Sequence, residues 1–298
     1  MTTECAELFY ELEPDLPMSR WVEDGASARL RMLDASGGQF VEGFDYEGVD
    51  RSQLFPVTGP IGLVGARAGD TIAIHVRELL ADPLGHTWTR RGLGFAAPTD
   101  FRVRALSTAD PVINWATGRA IPVVPRPHLG TLGVLPGESF EPRSLGIHGG
   151  NIDTVHLGAG ATLWVIAQVD GGGVFAGDTH AAIGDAEICG TGIEAAAVCT
   201  LNLSVERDWE PLLPTLYADG KYRLIADGDS TDEALERGVR ACTELFARAS
   251  GMSVGDAYLA IGLLLEVELC QVVNPRRSVS VSLGSGADLV LGPRWREW

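Results

Sequence analysis

The stretch Cys199-Thr200-Leu201-Asn202-Leu203-Ser204-Val205-Glu206 alternates apolar and polar side chains with a period of two. That period predicts a strand with one face in a core and the other outside. Ala28, Leu30 and Met32 alternate in the same way with Arg29 and Arg31, and Ile72, Ile74 and Val76 with Thr71, Ala73, His75 and Arg77. Ala161 to Val169 is almost continuously apolar, as a strand buried on both faces should be. Turn signals separate these runs: Ala-Ser-Gly-Gly at 35–38, Thr-Gly-Pro at 58–60, Gly-Gly-Asn at 149–151 and Asp-Gly-Gly-Gly at 170–173. The 37 glycines and 16 prolines in 298 residues favour short strands and many turns over a helical bundle. The expected fold is mainly β, an antiparallel, jelly-roll-like β-sandwich over residues 1–206 that carries the chemistry-bearing motifs.

Beyond residue 206 the pattern changes. Ser230-Thr231-Asp232-Glu233 is an N-cap signal that opens a helix to about Ala249, with apolar residues at 235, 239, 242, 245 and 246, and Gly251 stops it. A second apolar helix is expected within residues 253–270, starting near Asp256, and Ser278 to Leu283 alternates like a closing strand. Residues 207–298 are therefore expected to form an α+β segment packed on the sandwich.

The charge balance narrows the function. With 23 basic and 40 acidic residues the net charge is −17, which argues against nucleic acid or an anionic lipid surface as partner and suits a small neutral substrate. No apolar run reaches the ~18 residues of a membrane span, and the N-terminus lacks the basic and apolar regions of a signal peptide. The five cysteines show no CxxC spacing and read as reduced thiols, so a cytoplasmic location is expected. Lys221 is the sole lysine, in a turn-like stretch, and no GxSxG elbow occurs. Serine–lysine and cysteine–glutamate–lysine mechanisms thus have one poorly placed candidate.

Residues 130–192 hold 15 of the 37 glycines, interleaved with His148, Asn151, Asp153, His156, Asp178, His180, Asp185 and Glu187, and Glu194 follows just after. In an extended chain Asp178 and His180 share a face and can orient each other or share a metal. Glu194 leads into Ala195–Ala197, and a carboxylate entering an apolar strand needs a partner or a raised pKa. Asp34 continues the inward parity of Ala28, Leu30 and Met32. Asp185 and Glu187 resemble surface-turn residues, His75 and His86 are expected at the surface, and His128 and His148 are weaker site candidates. Neither HExxH nor HxH is present, so any metal site must be assembled from dispersed Asp, His and Glu; those ligand types suit a divalent ion, zinc first.

The segments Gly149-Gly150-Asn151-Ile152-Asp153, Gly177-Asp178-Thr179-His180-Ala181-Ala182 and Gly184-Asp185-Ala186-Glu187-Ile188-Cys189-Gly190-Thr191-Gly192-Ile193-Glu194 together resemble the acetamidase/formamidase family. Asp34-Ala35-Ser36-Gly37-Gly38-Gln39, Val57-Thr58-Gly59-Pro60, Leu129-Gly130-Thr131-Leu132-Gly133-Val134 and Val272-Val273-Asn274-Pro275 agree in order. The resemblance implies a homo-oligomeric β-sandwich amidohydrolase that cleaves a short-chain aliphatic amide, of formamide or acetamide type, to carboxylate and ammonia. It implies His180 as the family's histidine, Asp153 as ligand or base, and Asn151 as a donor to substrate or oxyanion; it also favours Asp34 as a metal ligand. The expected catalytic set is His180, Asp153, Glu194, Asp178 and Asn151, and the expected metal set is Asp34, Asp153, His180 and Glu194. Ile183 stands where the family usually has glutamine, and Ala186 where it has glycine. These departures sustain a competing reading, a non-catalytic metal- or small-ligand-binding sandwich derived from the family.

Overall fold

The computed structural model describes residues 3–41, 46–96, 100–114 and 117–293. Two large sheets face each other. The nine-stranded sheet runs, edge to edge, through Thr3–Cys5, Ser27–Met32, Ala197–Glu206, Thr71–Ala81, Thr162–Ile166, Thr215–Ala218, Lys221–Gly228, Arg277–Leu283 and Leu265–Gln271. The seven-stranded sheet follows the path Leu145–Gly146, Gly149–Asn151, His128–Val134, Val174–His180, Val57–Leu63 and Leu8–Phe9, with Arg20–Val22 pairing beside Val57–Leu63. Pairing is antiparallel except for Thr3–Cys5 with Ser27–Met32 and Arg20–Val22 with Val57–Leu63.

The alternation in sequence is realised as burial. Along Ala197–Glu206 the inward set Cys199, Leu201 and Leu203 is fully buried. It meets Ile61, Leu132, Val174 and Ala176 of the opposite sheet in one continuous core. Each such aliphatic side chain removed from water contributes ~1.5–3 kcal/mol, so the register of both sheets is held by their inner faces.

After residue 206 the chain extends the nine-stranded sheet, since Thr215–Ala218 pairs directly with Thr162–Ile166. Helix α1 (Thr231–Ser250) starts where Ser230 Oγ accepts from the Glu233 amide and ends at Gly251, whose φ of +70° gives a left-handed cap. Its Ala234, Cys242 and Leu245 pack on Leu224, Ala226, Val279 and Val281 of the sheet. The second helix lies within the expected stretch and ends six residues before that stretch does. Helix α2 spans Val254–Leu264, capped by Ser253, and Leu265–Gln271 is a strand. Glu266-Val267-Glu268-Leu269 has a period of two, and pairing with Arg277–Leu283 supplies backbone bonds that outweigh helix continuation. Arg277–Leu283 is accordingly flanked on both sides rather than closing an edge.

A polar clasp ties the His156 turn to the outer strands. His156 Nδ1 lies 2.8 Å from Asp219 Oδ2, His156 Nε2 3.1 Å from Glu268 Oε2, and Arg223 Nε 3.2 Å from the same Glu268 oxygen. The bond to His156 and the Arg223 charge hold the Glu268 carboxyl down at about 2 against partial burial. A carboxyl depressed in the folded state adds stability above its unfolded pKa of ~4.3 and loses it as pH falls towards its folded value. Glu268→Gln should therefore lower the melting temperature at pH 6 by a few degrees, a modest effect because the Glu268 carboxylate is half-exposed. The gap from the parent should close between pH 4.5 and pH 2, as thermal melts across that range would show; a pH-independent gap would remove the clasp.

Candidate active site

The site lies where the Val174–His180 strand ends against its neighbours. His128–Val134 pairs with Val174–His180 on one side and with Gly149–Asn151 on the other, which brings Asp153 and Asp178 to the same end of the sheet. Glu194 is added by backbone bridges to His86 and His180. The Asp185–Glu187 turn contributes Glu187, and the loop after Leu265–Gln271 contributes Asn274. Asp153, Asp178, His180, Glu187 and Glu194 are all buried.

The parity of Asp178 and His180 holds: His180 Nε2 is 3.7 Å from Asp178 Oδ1 and 3.1 Å from Glu194 Oε1. Glu194 Oε1 also accepts from the Gly192 amide at 3.1 Å. Asp153 Oδ2 accepts from Asn151 Nδ2 at 2.5 Å and from Asn274 Nδ2 at 2.8 Å, and Asn274 Nδ2 also reaches Glu187 Oε2 at 3.3 Å. Thr131 Oγ1 donates to Asn151 Oδ1 at 2.6 Å, so both ends of that amide are engaged. Asn151 is thereby a positioner of Asp153, with its amide donor already committed to that carboxylate.

Two overlapping groups could hold a metal ion, Asp153–Asp178–His180 and His180–Glu187–Glu194. Ligand atoms within each group lie within 4.8 Å of one another. Asp153 Oδ1, Glu194 Oε2 and His180 Nδ1 are buried without a hydrogen-bond partner. Unpaired buried polar atoms are costly, and here three converge in one cluster. The donor set, carboxylate oxygens and an imidazole, fits a divalent ion.

The electrostatics agree. Burial and the neighbouring Glu187 and Asp178 charges push the Asp153 carboxyl well above its ordinary value. Burial, then Asp178 and Glu194, does the same to Glu187. Asp178 is raised to about 7 by burial and by Glu194, with His180 acting against the rise. His180 resists burial and reaches about 10 because Glu194 and Asp178 favour its charged form, while Glu194 is held at about 2 by His180 despite its own burial. Burial and His180 together drive His128, whose ring centroid is 5.2 Å away, down to about 3. Asp153, Asp178 and Glu194 draw on His180, with His86 adding to it at Glu194, so protons accumulate where positive charge is lacking.

The backbone is specialised here. Asp153, Asp178 and Glu187 have φ of +54°, +51° and +49°, a left-handed conformation that side chains other than glycine seldom adopt. Such strain, ~1–3 kcal/mol each, collects at functional sites. Ala186 shares it at +64°, a conformation that glycine adopts without steric cost.

Several expectations change. Asp34 belongs to neither ligand group: its Oδ1 accepts from the Ser36 amide and hydroxyl, a short side chain capping its own turn. Glu187 and His86 are buried at the cluster instead of exposed, because the Asp185–Glu187 turn folds inward and the Leu84–Thr89 strand bridges Glu194. Asp185 is exposed and Cys189 is an exposed free thiol. His148 is buried against Phe140, with ring centroids 5.0 Å apart, and belongs to neither ligand group. Lys221 pairs with Glu266 on the outer strands. Asn274 stood in sequence only within the Val272–Pro275 segment, with no role of its own, since that role exists through contacts 87 and 121 residues away.

The profile of the Acetamidase/Formamidase family matches residues 2–145 and 141–212. A formamidase of Methylophilus methylotrophus is 26% identical over 300 residues, covering 74% of this chain and 72% of that protein. Among solved structures, a predicted acetamidase/formamidase from the thermophile Thermoanaerobacter tengcongensis superposes with a TM-score of 0.89 at 24% identity, covering 95% of each chain. An acetamidase of Yersinia enterocolitica gives 0.86 at 25% identity, over 95% of this chain and 92% of that one.

Gly130 tests the geometry directly. A Cβ there would lie 2.6 Å from Asp153 Oδ1, 2.6 Å from the Asp178 backbone carbonyl oxygen and 2.8 Å from Asp178 Oδ2. Gly130→Ala should force the two carboxylates apart and cut turnover ~100-fold or more, as displacements near 1 Å do at reacting centres. Circular dichroism should stay native. Near-normal turnover in a folded variant would show that these carboxylates are not the reacting set.

Proposed function

Because the chain belongs to the acetamidase/formamidase family and is a hydrolase of carbon–nitrogen bonds in linear amides, we propose that it converts a primary carboxamide to carboxylate and ammonia by metal-assisted attack of water. Formamide and acetamide are the smallest substrates of this class. The observation that carries the reading is the buried cluster of Asp153, Asp178, Glu187 and Glu194 around His180, with its unpartnered oxygens and nitrogen. A non-catalytic binding protein has less need for a carboxyl poised near neutrality, as Asp178 is at about 7.

A divalent ion, zinc first, held by residues drawn from Asp153, His180, Glu187 and Glu194, would polarise the amide carbonyl and acidify water. The chain's own groups do the rest. Asn151 and Asn274 hold Asp153 Oδ2, which leaves Oδ1 directed at the cluster. Glu194 orients His180 through Nε2. Asp178, buried with its Oδ1 3.7 Å from His180 Nε2, takes a proton from the attacking water and returns it to the leaving nitrogen as the C–N bond breaks. Glu187 shares Asn274 with Asp153 and so couples the turn to the floor of the site.

A homo-oligomer in the cytoplasm belongs to the same proposal. Tyr258, Leu259 and Leu263 of α2 are exposed and suit burial against another copy, and four of the five cysteines are buried free thiols, as a reducing compartment permits. Among the described residues no helix is long and apolar enough to cross a membrane.

Two experiments test the reaction. His180→Ala should lower ammonia release from acetamide by ~10²–10⁴-fold in a protein that still folds. A destabilised variant with full specific activity would make His180 a packing residue. For the metal, purified protein should hold a divalent ion whose removal by chelation abolishes turnover. Zinc uptake near pH 7 should release protons, because His180, raised to about 10, must shed its proton to become a ligand. Affinity should therefore fall as pH drops through 7. Calorimetry in buffers of different ionisation enthalpy measures this, and uptake without proton release would exclude these ligands.

A further inference from the structure

The cavity above the carboxylate cluster is far larger than the smallest substrates of the class. It encloses about 760 Å³, inside the ~300–1,000 Å³ range of pockets that take drug-sized ligands. Acetamide occupies on the order of 100 Å³, the room of three or four waters at ~30 Å³ each. The cavity also has two distinct sides. Asn151, Asp178, Glu187, Glu194 and Asn274 form a polar floor. Phe40 and Trp88 form an apolar wall, Leu54 and Leu93 add apolar lining, and the Phe55 ring carries the Arg143 guanidinium 4.8 Å from its centroid.

That wall is preorganised. Phe40 is buried and meets Trp88 edge-on, with ring centroids 4.8 Å apart at 70°. Phe101 backs both rings at 5.7 and 6.2 Å, and the Phe40 ring also contacts His86, the residue bridged to Glu194. The aromatic wall and the acidic floor are therefore parts of one packed unit. Lining charges of both signs, Glu11 and Glu141 with Arg51, Arg90 and Arg143, stand above an acidic floor and single out no one ionic acyl group. Rigid aromatic edges and faces instead favour another ring, with modest energy beyond area burial.

We propose that the preferred substrate is a primary carboxamide bearing an aromatic or similarly bulky apolar acyl group, its carboxamide on the floor and its ring against Phe40 and Trp88. This rests on the amide-hydrolase reading and adds the substrate class. Binding energy from a remote ring can be used to position the reacting carbonyl, so the gain should appear in kcat/KM.

The test is ammonia release from acetamide, phenylacetamide and 3-phenylpropionamide by the whole protein. At least one aryl amide should exceed acetamide in kcat/KM by tenfold or more. Trp88→Ala should shrink the phenylacetamide-to-acetamide ratio at least tenfold, and Trp88→Phe should retain most of it. A ratio of one or less, or a ratio untouched by Trp88→Ala, would overturn the proposal while leaving the amidase reading standing. Should no amide be cleaved, the hydrolase reading falls instead, and direct calorimetric titration with phenylacetamide judges the pocket alone: no saturable binding at millimolar concentration overturns the aromatic subsite as well.

Discussion

Burying Asp153, Asp178, Glu187 and Glu194 around the single imidazole of His180 is the constraint on which the rest of the site depends. Carboxylates removed from water repel one another and favour their neutral forms, unless positive charge is brought among them. His180 and Glu194 satisfy each other as an ion pair, and the remaining acids are left to share protons or a cation. A structure stable enough to hold such a group must oppose its repulsion with packing elsewhere.

The sandwich supplies that packing. Leu129, Leu132 and Ile152 are fully buried beside the residues that present Asp153, and Phe175 and Ala176 anchor the strand that ends in Asp178 and His180. The carboxylates thus stand on rigid elements, where small displacements are resisted by a close-packed core. Left-handed backbone recurs at Asp153, Asp178 and Glu187, three of the four carboxylates brought into one volume. Each turn is unfavourable alone and is held by the paired strands around it.

The second feature that follows is the contrast between the floor and the wall of the cavity. His86 joins them, with its backbone bridged to Glu194 and its ring against Phe40. Chemistry and recognition therefore share a support, so substitutions at the wall can disturb the floor without touching a carboxylate.

Much of this was legible in the chain itself, for reasons of local physics. Period-two alternation set the inner faces of Ser27–Met32, Thr71–Ala81 and Ala197–Glu206, and the Ser230 cap set the start of α1, because both depend on neighbouring residues alone. The same two-residue parity placed Asp178 beside His180. Local pattern failed where partners were distant. The strand Leu265–Gln271 was hidden in an apolar run until Arg277–Leu283 paired with it, and Asp34 had the parity of a buried ligand but found its partner two residues away in Ser36. Glu187 looked like a surface-turn residue, and Asn274 like part of a loop, because nothing within a few positions of either reveals the other's approach. Residue types and spacing determined which groups were available for chemistry. Tertiary structure alone decided which of them lost water together, and desolvation, a property of surroundings and not of sequence, is what makes the cluster reactive.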